Sequence, residues 1–151
     1  MSTIFSEALI SALPHDAIPP GQRIFEPFIG SWDLVVSWYG PDGSLERRQD
    51  GEWHFERVLE GRGIQDVWIV PPRSQRPAAS GDYEYGTSLR FYDPTIEAWR
   101  STWIGPQHHV VYSFIARRVV RVLAGHGIFA VSQRPAAHSA AGLAPAAAVT
   151  S

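Results

Sequence analysis

Phe28-Ile29-Gly30-Ser31-Trp32-Asp33-Leu34-Val35-Val36-Ser37-Trp38-Tyr39-Gly40-Pro41-Asp42-Gly43 sets the fold class. Trp32, Leu34, Val36 and Trp38 alternate with Ser31, Asp33, Val35 and Ser37, the period-two pattern of a half-buried strand. Gly40-Pro41-Asp42-Gly43 then reverses the chain, with Pro presetting φ and Gly supplying positive φ. Beyond it Leu45, Arg47, Gln49, Gly51, Trp53 and Phe55 alternate with Glu46, Arg48, Asp50, Glu52, His54 and Glu56, a strand with one charged, solvent-facing side. Two such runs joined by a short turn predict an antiparallel hairpin.

The pattern continues outward from there. Residues 62–70 read as a third strand stopped by Pro71-Pro72, and residues 71–84 as a long loop. Residues 86–92, 98–104 and 108–116 read as strands four to six, with residues 119–123 and 128–131 as two short further strands. Hairpin-length connections without intervening helices predict an all-β antiparallel meander, and curling it into a barrel removes exposed edges. On the N-terminal side, residues 3–13 space Ile4, Phe5, Ala8, Leu9 and Ala12 as one helical stripe, ended by Pro14 and expected to plug one end of the barrel. Residues 14–27, with Pro14, Pro19, Pro20 and Pro27, form an extended connector. The expected organisation is residues 1–27 as helix and connector, 28–133 as the barrel domain, and 134–151 as a disordered Ala/Pro-rich tail.

Composition narrows the function classes. The 151 residues carry a formal charge of −2 and no Cys, which removes disulfides, thiolate nucleophiles and zinc-ribbon chemistry. A near-neutral chain has no field for nucleic acid or an anionic membrane surface, and the Arg117, Arg118 and Arg121 cluster lacks interleaved aromatics. Neither a signal peptide nor a membrane span is legible, so the expected location is the cytoplasm. Every fixed cationic side chain is Arg, with no Lys or Asn anywhere, a GC-rich bias that suggests a bacterial source. All 15 acidic residues lie at or before Glu97. Either the C-terminal part is simply basic and Ala-rich, or the reading frame changes near Arg117-Arg118 and replaces the last native strands.

Gly30-Ser31-Trp32 is the Gly-x-Trp found near the start of lipocalins and related calycin barrels. The segments Gly51-Glu-Trp-His-Phe, Val58-Leu-Glu-Gly-Arg-Gly-Ile-Gln-Asp-Val-Trp, Tyr85-Gly-Thr-Ser-Leu-Arg-Phe-Tyr-Asp-Pro and Ala98-Trp-Arg-Ser-Thr-Trp-Ile resemble a lipocalin-like bacterial family of largely unknown function, over residues 28–105. The resemblance implies a barrel with Trp32 facing inward at its closed end, often beneath an Arg from a late strand. That Arg has no counterpart here, and the sequence after Arg118 departs from the family pattern, so closure rests on the least family-like part of the chain.

The candidate ligand-binding residues are Trp32, Val36, Trp38, Arg47, Gln49, Trp53, Asp66, Trp68, Trp103 and Tyr112. An aromatic wall with a few polar groups suits a small hydrophobic or aromatic ligand; packing of the same rings as plain core is the bland alternative. Arg47 and Gln49 share the alternation face of Trp53 and would be polar handles, with Asp66 the expected partner of Arg47, unless Arg47 snorkels to water. Asp66 or a nearby Tyr would be the acid or base of a rival reading, a cofactor-free isomerase or cyclase, where burial facing the cavity would raise the Asp66 pKa. His108 is the candidate haem ligand if a single wall histidine binds iron, as in nitrobindin-type barrels; no other cofactor or metal is predicted. His108 and His109, adjacent on a strand, would face opposite ways. A homodimer through a sheet edge or the barrel surface is a further expectation, and a remnant with an incomplete barrel and no activity is a third functional alternative.

Overall fold

The computed structural model describes residues 3–76, 83–120 and 126–131. They form seven strands, β1 (Gly30–Tyr39), β2 (Leu45–Val58), β3 (Gly63–Val70), β4 (Glu84–Asp93), β5 (Ala98–Gly105), β6 (Val110–Val120) and β7 (His126–Val131), in one sheet whose spatial order follows chain order. Each strand pairs antiparallel with the next. The all-β meander predicted from alternation is therefore present. Among the described residues β1 pairs only with β2 and β7 only with β6, so the sheet is open and does not close into a barrel.

Strand boundaries differ from expectation most in the last two strands. Residues 119 and 120 belong to β6, which is longer than predicted, and the second short strand begins earlier, at His126. β6 starts at Val110, because Pro106–His108 form a 3-10 turn and His109 takes the left-handed conformation. Residues 77–82, 121–125 and 132–151 lie outside the described residues, and with them the predicted tail and part of the acid-free segment.

The N-terminal helix, α1, spans only Ile4–Leu9, capped by the Thr3 side chain accepting from the Ser6 backbone N–H. Its stripe is not buried: Ile4 and Phe5 are exposed, so α1 plugs nothing. Ile10 instead bridges to Val58, continuing the lane that β1 leaves empty beyond Gly30↔Phe55. Gly61, at φ +76, turns against this segment so closely that a Cβ would collide with the Leu13 carbonyl and the His15 amide. The plug is the connector. Its 3-10 turns, Pro20–Gln22 and Glu26–Phe28, set Ile18, Ile24 and Phe25 against Phe55, Ile64, Trp99 and Ala116. Arg57 clamps it, donating from Nη2 to Glu26 at 2.6 Å and from Nη1 to the Ala12 carbonyl at 3.1 Å. Burial of several large apolar side chains, each contributing on the order of 1.5–3 kcal/mol, makes this the main core.

Candidate functional site

Register decides which side chains share a face. Directly opposed residues project to the same side of a sheet, and the pairs Trp32↔Trp53, Val36↔Gln49, Trp38↔Arg47, Trp53↔Trp68, Phe55↔Asp66, Asp66↔Ser88, Ser88↔Trp103 and Trp103↔Tyr112 run unbroken from β1 to β6. All ten candidate ligand-binding residues therefore lie on one face of the sheet, the inner face.

That face has two halves. The closed half, Phe55, Ile64, Asp66, Arg90, Trp99 and Ala116, lies with the connector. The open half is a cluster of strand residues alone, with Val36, Trp68 and Val70 buried and Leu34, Trp38, Trp53 and Trp103 half-buried around them. Trp53 joins the two, its ring centroid 4.5 Å from that of Phe55 in a tilted pair and 5.2 Å from that of Trp68, edge-on. Gly86 makes room for the open half: its Cβ would fall inside the Trp103 ring, so only glycine lets that ring lie across β4. Trp68 is fixed by donating its indole N–H to Glu84 at 2.6 Å. Trp32, on the edge strand, donates to the Phe28 carbonyl at 2.6 Å and is 39 % exposed, so it sits less deeply than the resemblance implies.

The polar candidates separate. The Arg47 guanidinium lies over Trp38, its carbon 4.4 Å from the ring centroid, and donates from Nε to Gln49 at 3.1 Å. Its expected partner Asp66 is elsewhere, because Asp66 faces Phe55, eight residues along β2 from Arg47, or roughly 26 Å. The partner of Asp66 is Arg90, which donates from Nη2 to Oδ2 at 2.6 Å, while the Ser88 backbone N–H donates to Oδ1 at 2.8 Å. Both residues are buried, and the guanidinium also rests on Phe25, 4.9 Å from its centroid, and Phe55. Both carboxyl oxygens are thus engaged, one by Arg90 and one by the Ser88 N–H, beside the connector's Phe25.

Among the described residues four buried side-chain N or O atoms have no hydrogen-bond partner: Arg90 Nε and Nη1, Ser101 Oγ and Trp53 Nε1. Arg90 and Ser101 oppose each other across β4 and β5. Sequence reasoning did not single out Arg90, Ser88, Ser101, Glu84 or Gly86. The signal was the even spacing of Gly86, Ser88 and Arg90, masked by the more hydrophobic Leu89 and Phe91, which face out and are exposed.

His108 is not on the wall. It occupies the exposed 3-10 turn between β5 and β6, so the wall-histidine geometry expected for haem is not formed by it. His54 lies on the outer face, as its alternation predicted, between Ser31 Oγ at 2.9 Å and Glu52 Oε2 at 3.0 Å. Arg73 also pairs with Glu52, and these hydrogen bonds, led by Arg73, lower the Glu52 carboxyl to about 2. Among the described residues no three His, Asp or Glu side chains are grouped to hold a metal ion, and no helix is long and apolar enough to cross a membrane. A groove of about 550 Å³ lies between β1, β2 and the Pro72–Gln75 segment, beside Asp33, Val35, Asp50 and Glu52; a smaller one of about 220 Å³ is lined by Ile18, Arg62 and Tyr92. None of the ten candidates lines either.

No family model, curated protein or solved structure matches this chain.

Proposed function

We propose that the open half of the inner face binds a small, planar, apolar ligand, as a groove and not as a closed barrel cavity. The observation that carries this is the cluster of half-buried Trp38, Trp53 and Trp103, flanked by half-buried Tyr112, which no described connector element packs against and in which the buried Trp53 indole N–H has no acceptor among the described residues. Large rings with a polar handle give contact area at little entropic cost. A ligand oxygen would satisfy that donor, and Arg47 with Gln49 would border the groove beside Trp38. Membership of the lipocalin-like bacterial family belongs to the same proposal, supported by Gly30-Ser31-Trp32 and, for a bacterial source, by the Arg-only composition; a cytoplasmic setting is proposed with it.

Acetylnaphthalene, a planar ketone, is a suitable probe. At 100 times its dissociation constant a ligand of the folded state adds about 2.7 kcal/mol. Thermal unfolding with the probe should show stabilisation that Trp103→Ala removes. No stabilisation by acetylnaphthalene or its hydrocarbon analogue ethylnaphthalene would overturn the proposal.

A further inference from the structure

Among the described residues β1 is a ten-residue edge, hydrogen-bonded to β2 on one side only. Long exposed edges are usually blunted by Lys, Pro, a bulge or a covering segment. β1 contains no Lys, Arg or Pro, and its only charge is Asp33. The register shift at Trp38/Tyr39 places the extra residue, Glu46, on β2, so β1 itself is regular. The N-terminal segment does not cover it either, since Ile10 bridges to β2 at Val58.

We propose that β1 pairs antiparallel with β1 of a second copy about a two-fold axis at Val35. The choice of centre follows from the pleat. When a strand pairs with its own copy about an axis normal to the sheet, the axis must pass through a residue, or inner side chains would face outer ones. Centring on Val35 matches Trp32 with Trp38, Leu34 with Val36, Asp33 with Ser37 and Ser31 with Tyr39, so all nine residues from Ser31 to Tyr39 are paired. Aromatic meets aromatic and aliphatic meets aliphatic on the inner face, the cross-strand pairs that stabilise sheets, while the one acid meets a hydroxyl. Centring on Leu34 leaves Tyr39 unpaired and sets Asp33 against Val35. Centring on Val36 leaves Trp32 outside the strand pairing. The near-palindrome Ser31-Trp32-Asp33-Leu34-Val35-Val36-Ser37-Trp38 thus favours a second copy of this chain over an unrelated strand. The pairing joins two inner faces into one continuous sheet and does not depend on ligand binding.

The absence of cysteine makes a clean test. Val35 is 52 % exposed and Tyr39 is exposed, so both accept substitution without disturbing the core. At a two-fold centre the Val35→Cys residues would have Cα atoms about 4.5–5.5 Å apart, within disulfide range. The wild-type chain should sediment as a dimer that dissociates on dilution. Val35→Cys should oxidise to a covalent dimer, and Tyr39→Cys, opposite Ser31, should not. Val35→Lys, which sets two like charges against each other, should give a monomer with unchanged thermal unfolding of the protomer. A wild-type monomer throughout the micromolar range, a persistent Val35→Lys dimer, or equal cross-linking at positions 35 and 39 would overturn the proposal.

Discussion

Arg90 holds Asp66 from the neighbouring strand, Nη2 to Oδ2 at 2.6 Å, with both side chains buried among Phe25, Phe55 and Trp99. A charge pair in such surroundings is costly to break and only weakly stabilising to keep. Arg90→Met alone should therefore destabilise by about 3–5 kcal/mol, because the buried Asp66 side chain loses its cationic partner. Arg90→Met combined with Asp66→Asn should recover much of the loss. Denaturant midpoints of the two single variants and the double variant decide it; simply additive losses would show that the two side chains are not coupled.

Ser101 Oγ is buried without a partner among the described residues, so its hydroxyl contributes desolvation cost and no bond to them. Ser101→Ala should leave stability unchanged or raise it by up to about 1 kcal/mol. A measured loss above that size would mean that the hydroxyl is bonded in solution.

Gly86 leaves no room for a methyl group beneath Trp103. Gly86→Ala should displace that ring, costing about 1–3 kcal/mol by overpacking and altering the near-ultraviolet dichroism of the folded protein. An unchanged spectrum with unchanged stability would contradict the placement of Trp103 across β4.

Glu52 titrates at about 2, lowered chiefly by its hydrogen bonds from Arg73, and Asp93 at about 2, lowered by Thr95 and then Arg100. Both carboxyls are lower in the folded state than their ordinary values of 4.5 and 3.8. Their contribution to stability is thus complete above about pH 5 and is lost as pH falls through the ordinary values towards 2. Denaturant midpoints should fall across that window, and less steeply in Glu52→Gln. A Glu52→Gln profile parallel to that of wild type would refute the Glu52 assignment.

Much of this was legible because it rests on alternation and turns. Trp32 to Trp38 and Leu45 to Phe55 carry a period of two that specified both the hairpin and the face of the six candidates on it. Tertiary context set the rest. The α1 stripe was a sound helical pattern with nothing to bury it, whereas the Pro-rich connector, unreadable by periodicity, became the plug because Ile18, Ile24 and Phe25 fit over Phe55 and Trp99. Arg90 was hidden on a strand where the polar set faces in, since the space above Gly86 is filled by Trp103 and Asp66 requires a cation. Arg47 was assigned to Asp66 by a shared face, but distance along β2 separates them.

The central claim is that ligand meets the open half of the inner face and spares the closed half. Its most direct measurement is the indole N–H region of a nitrogen-15 correlation spectrum during titration with acetylnaphthalene, where the chain's six tryptophans report separately. The signals of Trp38, Trp53 and Trp103 should move, with Trp53 shifting downfield as its N–H gains an acceptor, while Trp99, donating to the Gln22 carbonyl beneath the connector, stays still. Movement of Trp99 with Trp38 and Trp103 unchanged, or no movement at saturating probe, would contradict the claim.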